Sequence, residues 1–288
     1  MTSSDEVTTP APAMKKPTRE KVYRHTRVVR ATHWINAICL FFLVASGAQI
    51  FNAFPALHWG KKGFGYDNVF VSMRAEAVDG HARGITRIGS LKLDTTGLFG
   101  LSANNGQMEN RAFPNWITIP SWRDLAAGRR WHFFFAWIFV ISGLVYLTHG
   151  FSSRHFARDL APTKEELKPQ HLWHEIVDHA QLKFPKGEAA KRYNALQKLA
   201  YGGAVFILLP LMLLTGLTMS PGFNAVAPIL LDLFGGRQSA RTLHFISAFL
   251  IVAFVFVHLA MVVLSGLVNN VRSMITGQYE IEPERQGP

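Results

Sequence analysis

The stretch Leu243–Leu267, LHFISAFLIVAFVFVHLAMVVLSGL, carries no Lys, Arg, Asp or Glu. At about 1.5 Å per residue it reaches more than 30 Å as a helix, the thickness of a bilayer's hydrocarbon layer. Lipid solvates no bare backbone group, so such a run must be helical. Its two histidines, His244 and His258, are 14 residues apart, which leaves about 40° between them after whole turns. They share a face and stand roughly 21 Å apart along the axis, one near each membrane surface. Ser247, Ala248 and Ile251 lie near that face and leave room for a bulky planar group.

Working outward, three further runs of the same kind appear: Trp34–Phe54, Trp131–Phe151 and Leu199–Met219, the last with Pro210 as an expected kink. The expected fold is an all-α integral membrane protein, a four-helix bundle over residues 25–275. An outer loop (55–130) joins helices one and two, and an inner loop (152–192) joins two and three. Residues 1–24 read as a flexible basic tail and 276–288 as a C-terminal tail. The first run is too long for a cleaved secretory leader and reads as a retained span. The 30 Lys+Arg against 19 Asp+Glu, a net charge of +11, lie between the apolar runs and so point to a membrane rather than to nucleic acid. The N-terminus, second connection and C-terminus hold 18 of the basic residues and the other two connections 12, which places both termini in the cytoplasm. The expected location is a bacterial inner membrane.

The single cysteine, Cys39, rules out a disulfide framework, a Cys-based zinc site, an iron–sulfur cluster and covalently attached haem. Seven histidines, including His25, His58, His155, His174 and His179, fall in connections, where a solvated side chain is expected. Five fall in or at the ends of spans, where ionisable residues mark function. With alternating span directions, His33 at the start of span one is level with His258. His132 at the start of span two is level with His244. His149, at the other end of span two, lies about 260° around the helix from His132. A lone histidine at a span end is an ordinary interfacial group. Two on one face, each with a level partner on another span, read as haem-iron ligands, because no third protein ligand accompanies either pair as zinc would require.

The connections are less telling. The outer one holds His58, GKKGFG and the proline-punctuated Phe113–Trp122, and reads either as a lid of short strands or an Ω-loop, or as a docking surface. In the inner one Thr163–Glu166 resembles a capping box at a helix start. His174 and His179 are five apart rather than the four of a zinc-protease motif. An amphipathic interfacial helix with Leu172, Trp173, Ile176 and Val177 on its apolar side is therefore expected.

Arg30-Ala-Thr-His33-Trp-Ile-Asn36, Gly128-Arg-Arg-Trp-His132 and the His244/His258 spacing together resemble the four-helix di-haem cytochrome b subunits, the prokaryotic cytochrome b561-like group. These include the membrane subunits of nickel–iron hydrogenases, formate dehydrogenases and thiosulfate reductases. The blocks Tyr193–Tyr201 and Pro120–Asp124 are similar to the branch paired with molybdopterin oxidoreductases. The resemblance implies two haem b groups, the inner on His33 and His258 and the outer on His132 and His244. It also implies quinone bound near Asn194 and Gln197 and a catalytic redox partner on the outer face. Arg30, Arg129, Arg130 and Arg241 flank the ligands and read as haem-propionate partners or as anchors at span ends. The expectation is an electron-transfer subunit rather than a self-contained catalyst. Its rivals are a stand-alone superoxide:quinone oxidoreductase and a histidine-based metal-ion transporter.

Overall fold

A computed structural model describes residues 20–63, 68–183 and 192–281. A short strand, β1 (Glu20–Tyr23), leads into the first span, α1 (Arg27–Phe51). Thr26 caps that helix by accepting a hydrogen bond from the Val29 amide at 3.4 Å, satisfying one of the N–H groups a helix start leaves open. The connection 55–130 then carries two pieces of antiparallel β structure. Its main sheet runs β2 (Ala56–Leu57), β3 (Val71–Val78), β4 (His81–Ile88) and β5 (Leu91–Asp94), and a separate hairpin pairs β6 (Ser102–Asn104) with β7 (Gln107–Glu109). Asp79-Gly80 and Asn105-Gly106 turn the β3–β4 and β6–β7 hairpins, with φ of 50°, 77°, 49° and 80°. Positive φ at both central residues matches the twist of the strands they join.

The second span, α2 (Leu125–Ser152), starts at Asp124, whose carboxylate accepts from the Ala127 amide at 2.8 Å. Among its described residues, the connection 152–192 holds a π-helical turn (Phe156–Leu160) and the amphipathic α3 (Pro169–Ala180). The third span, α4 (Ala195–Thr218), is followed by the short α5 (Pro221–Val226) and α6 (Ile229–Leu233). The fourth, α7 (Arg237–Leu264), gives way at Gly266 to α8 (Leu267–Thr276). The last strand, β8 (Gln278–Ile281), pairs antiparallel with β1.

The molecule is thus predominantly helical, with four helices long and apolar enough to cross a membrane. Each starts four to seven residues before the apolar run that signals it, because Thr26, Asp124, Asn194 and Gly236 set the helix starts beyond the hydrocarbon-length segment. Close backbone packing joins α1 to α2 and α4 to α7, so the bundle is two antiparallel hairpins. Buried within it are small polar residues, Ser46, Thr215, Thr218 and Ser247, while Phe41, Trp137, Ile141, Phe249 and Phe256 point outward. Small residues let helices approach closely, and the large apolar side chains face lipid.

Three local expectations change. The tail reading of residues 1–24 falls mostly outside the described residues, but Glu20–Tyr23 is a strand held by Gln278–Ile281 from the expected C-terminal tail. Thr163 and Glu166 do exchange capping-box hydrogen bonds, at 2.7 and 3.3 Å. They close a turn rather than start a helix, because Pro169 defines the next helix start and Glu166 is drawn to the buried Lys198 ammonium at 2.8 Å. Pro210 leaves the Phe206 carbonyl without its usual donor, and the helix answers with a π turn over Ala204–Leu208.

The connection 55–130 packs onto one end of the bundle as a lid. Leu57, Val71, Met73 and Ala112 form a buried core with Phe51 at the end of α1, and Phe245 of α7 packs against it. The segment 54–60 is clamped to the start of α7. Arg241 donates to the Phe54 and Ala56 carbonyls, Thr242 donates to the His58 carbonyl at 2.7 Å, and the Gly60 amide donates to Ser239 at 2.7 Å. A Cβ on Gly236 would stand 2.7 Å from the Gly60 carbonyl oxygen, so the close approach requires glycine there.

Candidate functional site

The two hairpins face each other across the middle of the bundle, and histidines meet there at two levels. The ring centroids of His33 and His258 are 6.2 Å apart, and those of His132 and His244 6.4 Å. Two metal–nitrogen bonds of about 2 Å, laid end to end with two imidazole radii, come to roughly 6 Å. Both pairs therefore have the spacing of rings that grip one iron from opposite sides. Each pair joins residues from different hairpins, which leaves the slot between hairpins for a flat group.

Aromatic rings surround the His33/His258 pair. Trp34 stacks on His33 at 5.4 Å and 18°, Phe254 on His258 at 5.9 Å and 14°, and Tyr201 meets His258 edge-on at 6.0 Å. Arg30 Nε and Asn36 Oδ1, one turn to either side of His33, are buried with no hydrogen-bond partner among the described residues. Buried polar atoms in that state fit a site completed by a polar edge, as a haem carries in its propionates. Elsewhere on its guanidinium Arg30 donates to the Ile275 carbonyl, while the Trp34 indole donates to Met274 O at 3.1 Å. These two contacts staple α8 to the start of the first span.

Around the His132/His244 pair the polar contacts are direct. His132 Nδ1 lies 3.1 Å from Ser46 Oγ, and His244 Nδ1 lies 3.1 Å from both Thr215 Oγ1 and the Met212 carbonyl. Phe42, Trp131 and Phe135, the last two flanking His132 in sequence, form a parallel stack.

The other expected residues divide. Arg241 is spent on lid carbonyls, whereas Arg129 and Arg130 are exposed near the start of α2, Arg129 over the Phe133 ring at 5.7 Å. Asn194 and Gln197 form a capping box at the start of α4: Asn194 Oδ1 accepts from the Gln197 amide at 2.9 Å and Gln197 Oε1 from the Asn194 amide at 3.3 Å. Asn194 Nδ2 also contacts His179 Nε2 at 3.2 Å, and Glu175 accepts from the Ala195 and Leu196 amides at 3.2 and 3.0 Å. Thus α3 is stitched to the start of α4, with His174 paired to Asp178 rather than to His179. His149 bonds Thr26 at 3.0 Å, fastening the start of α1 to the end of α2.

Two histidines placed by sequence in solvated connections are in fact buried. His25 is 8% exposed; burial, reinforced by the Arg24 charge, pulls its pKa down to about 4. His58 is 3% exposed, stacked on Phe54 at 6.1 Å, with neither ring nitrogen partnered among the described residues. Gly63 makes room for it, since a Cβ there would sit 2.7 Å from the ring. No spacing signal in the sequence marks either residue, because the packing that buries them comes from distant segments.

The family model described as prokaryotic cytochrome b561 matches residues 24–277. A relative from Azospira oryzae, provisionally named protein-methionine-sulfoxide reductase subunit YedZ1, is 33% identical over 151 residues, 52% of this chain and 71% of the relative. No solved structure matches the chain. The family match runs from the residue after β1 to just past the end of α8 and takes in all four spans and both histidine pairs. The chain accordingly belongs to the prokaryotic cytochrome b561 family of bacterial multi-pass membrane proteins that bind haem b and transfer electrons.

Proposed function

We propose that this protein is the membrane-anchoring di-haem subunit of an oxidoreductase, passing electrons between the quinone pool and a redox partner on the outer face. In this reading His33 and His258 hold the inner haem b, and His132 and His244 the outer one. The observation that carries it is the pair of 6.2 and 6.4 Å ring spacings at two depths of one bundle. When bound, the haems supply one-electron transfer across a layer that electrons do not otherwise cross. The chain itself holds four imidazoles on rigid spans, encloses them in aromatic rings and closes the outer end with a lid. The bundle keeps the ligand pairs away from bulk water while leaving each within reach of one membrane surface.

Quinone is placed beside the inner pair, where Tyr201 lies against His258 and Asn194 and Gln197 begin the same helix. Their capping box gives them a structural duty, so a quinone contact from either is an addition to it. Arg30 is the guanidinium best placed for a propionate, through its unpartnered Nε. The relative's name ties it to a methionine sulfoxide reductase, and a catalytic subunit of that class, with a molybdopterin centre, is the partner proposed here. The lid is its docking surface.

A reduced-minus-oxidised spectrum with a pyridine-haem count tests the reading. Two b-type haems per chain are expected. His33→Ala and His258→Ala should remove one of them, and His132→Ala and His244→Ala the other. Retention of both haems in all four variants would overturn the ligand assignment. With both termini cytoplasmic in the bacterial inner membrane, Ser90→Cys in the lid should react with an impermeant maleimide from the outer face. Reaction only in inverted vesicles would reverse the orientation.

A further inference from the structure

The outer histidines are held by the same four-part arrangement, built twice. On α1, Ser46 and Gly47 face His132; on α4, Thr215 and Gly216 face His244. The Ser46 hydroxyl donates to the Phe42 carbonyl at 2.6 Å and the Thr215 hydroxyl to the Leu211 carbonyl at 2.6 Å, each reaching back one turn. The carbonyl three residues before each hydroxyl, Leu43 or Met212, also bonds the facing imidazole. A Cβ on Gly47 would stand 3.5 Å from His132 Cε1, and one on Gly216 3.3 Å from His244 Cε1. Both hydroxyl-bearing residues are fully buried.

Hydrogen-bond logic then sets the proton. A hydroxyl whose hydrogen is committed to a carbonyl can only accept from a second neighbour, and the Met212 and Leu43 carbonyls can only accept as well. The imidazole nitrogen facing them must therefore carry the hydrogen. Nδ1 is that nitrogen in both rings, so Nε2 presents its lone pair to the slot between the hairpins. The adjacent glycine leaves space for the ring edge, and a larger side chain would crowd its rotation. The inner pair differs: among the described residues His33 and His258 form no ring hydrogen bond and are held by stacked Trp34 and Phe254.

We propose that Ser46-Gly47 and Thr215-Gly216 are paired positioning residues that fix the tautomer and rotation of the two outer haem ligands and thereby hold the outer haem at a lower potential than unsupported imidazoles would. This rests on the ligand assignment above. An imidazole donating from its outer nitrogen is a more basic ligand, and a more basic ligand favours ferric over ferrous iron. The duplicated cradle thus distinguishes the two haems electronically, although both have two histidine ligands.

The test is an optical redox titration of the haem-loaded protein, with the ferric EPR spectrum recorded alongside. Ser46→Ala and Thr215→Val should each raise the midpoint potential of one and the same haem and shift its low-spin EPR signal, leaving the other haem unmoved. Ser46→Thr and Thr215→Ser, which keep the hydroxyl, should restore both readouts. Should either hydroxyl deletion fail to assemble, Gly216→Ala is read by EPR, with a changed outer-haem signal expected from the rotated ring. Unchanged potential and EPR signal in the hydroxyl variants would overturn the cradle. The ligand assignment is checked separately: if His132→Ala and His244→Ala fail to remove the same haem, that assignment falls and the cradle with it.

Discussion

Arg111 shows how a single residue ties the lid to the bundle. It is 1% exposed, and its guanidinium donates to Gln49 Oε1 on α1, to Thr118 Oγ1, and to the Phe113 and Ser121 carbonyls, at 2.8 to 3.2 Å. Glu109 stands 3.5 Å away as its counter-charge. Arg111→Met nearly keeps the volume but removes the guanidinium that bonds the buried Gln49 and Thr118 side chains and the two carbonyls, and should cost about 3 kcal/mol. Thermal unfolding in detergent, with trypsin susceptibility of the 71–123 region, checks this. His25 offers a second test, by pH. Its folded pKa of about 4 lies below the ordinary 6.5, so the unfolded chain takes up the proton first as the solution is acidified. Its stabilising contribution is complete above about 6.5 and lost progressively down to about 4. His25→Asn should flatten the melting temperature across that window, and an unchanged slope would show that His25 is not the group responsible.

At the scale of elements, local chemistry explains where each helix begins and how it tolerates its irregularities. The Asn194/Gln197 capping box answers two open groups at the start of α4, and Asn194→Ala should lower stability by about 1 kcal/mol, read as a fall in melting temperature. Retained quinone reduction in that variant would mark Asn194 as a cap alone. The Glu166–Lys198 pair joins the inner connection to the same helix end. Burial pushes the Glu166 carboxyl up, but the Lys198 and Thr163 hydrogen bonds outweigh it and leave its pKa below the usual carboxylate range. The strands of the lid were only half legible. Asp79-Gly80 and Asn105-Gly106 are strong hairpin signals, yet the strands they join are short and mixed in polarity, so alternation alone did not separate a lid of strands from an irregular loop. Helix ends lie several residues from the ends of the apolar runs for a related reason: hydropathy reports the hydrocarbon layer, whereas caps lie outside it.

For the whole molecule, the lid is clamped to one end of the bundle, and β8 pairs with β1 just before the first span. Removing residues 278–288 should expose β1 and quicken tryptic cleavage after Lys21 and Arg24. Unchanged cleavage would show that β8 does not protect it. The four spans, their alternating directions and the level-matching of His33 with His258 and His132 with His244 were readable from the chain, because apolar length and helical period are local properties. The buried state of His25 and His58, the spending of Arg241 on lid carbonyls and the hydroxyl cradles were not. Ser46 and His132 are 86 residues apart and Thr215 and His244 are 29 apart, and which face of one helix meets which face of another depends on packing between them. Sequence alone therefore determined a lipid-spanning bundle with imidazoles at two depths, since length and periodicity suffice for that. Only the tertiary structure decided which neighbours orient those imidazoles, since that choice is made by side chains that meet only when the hairpins pack.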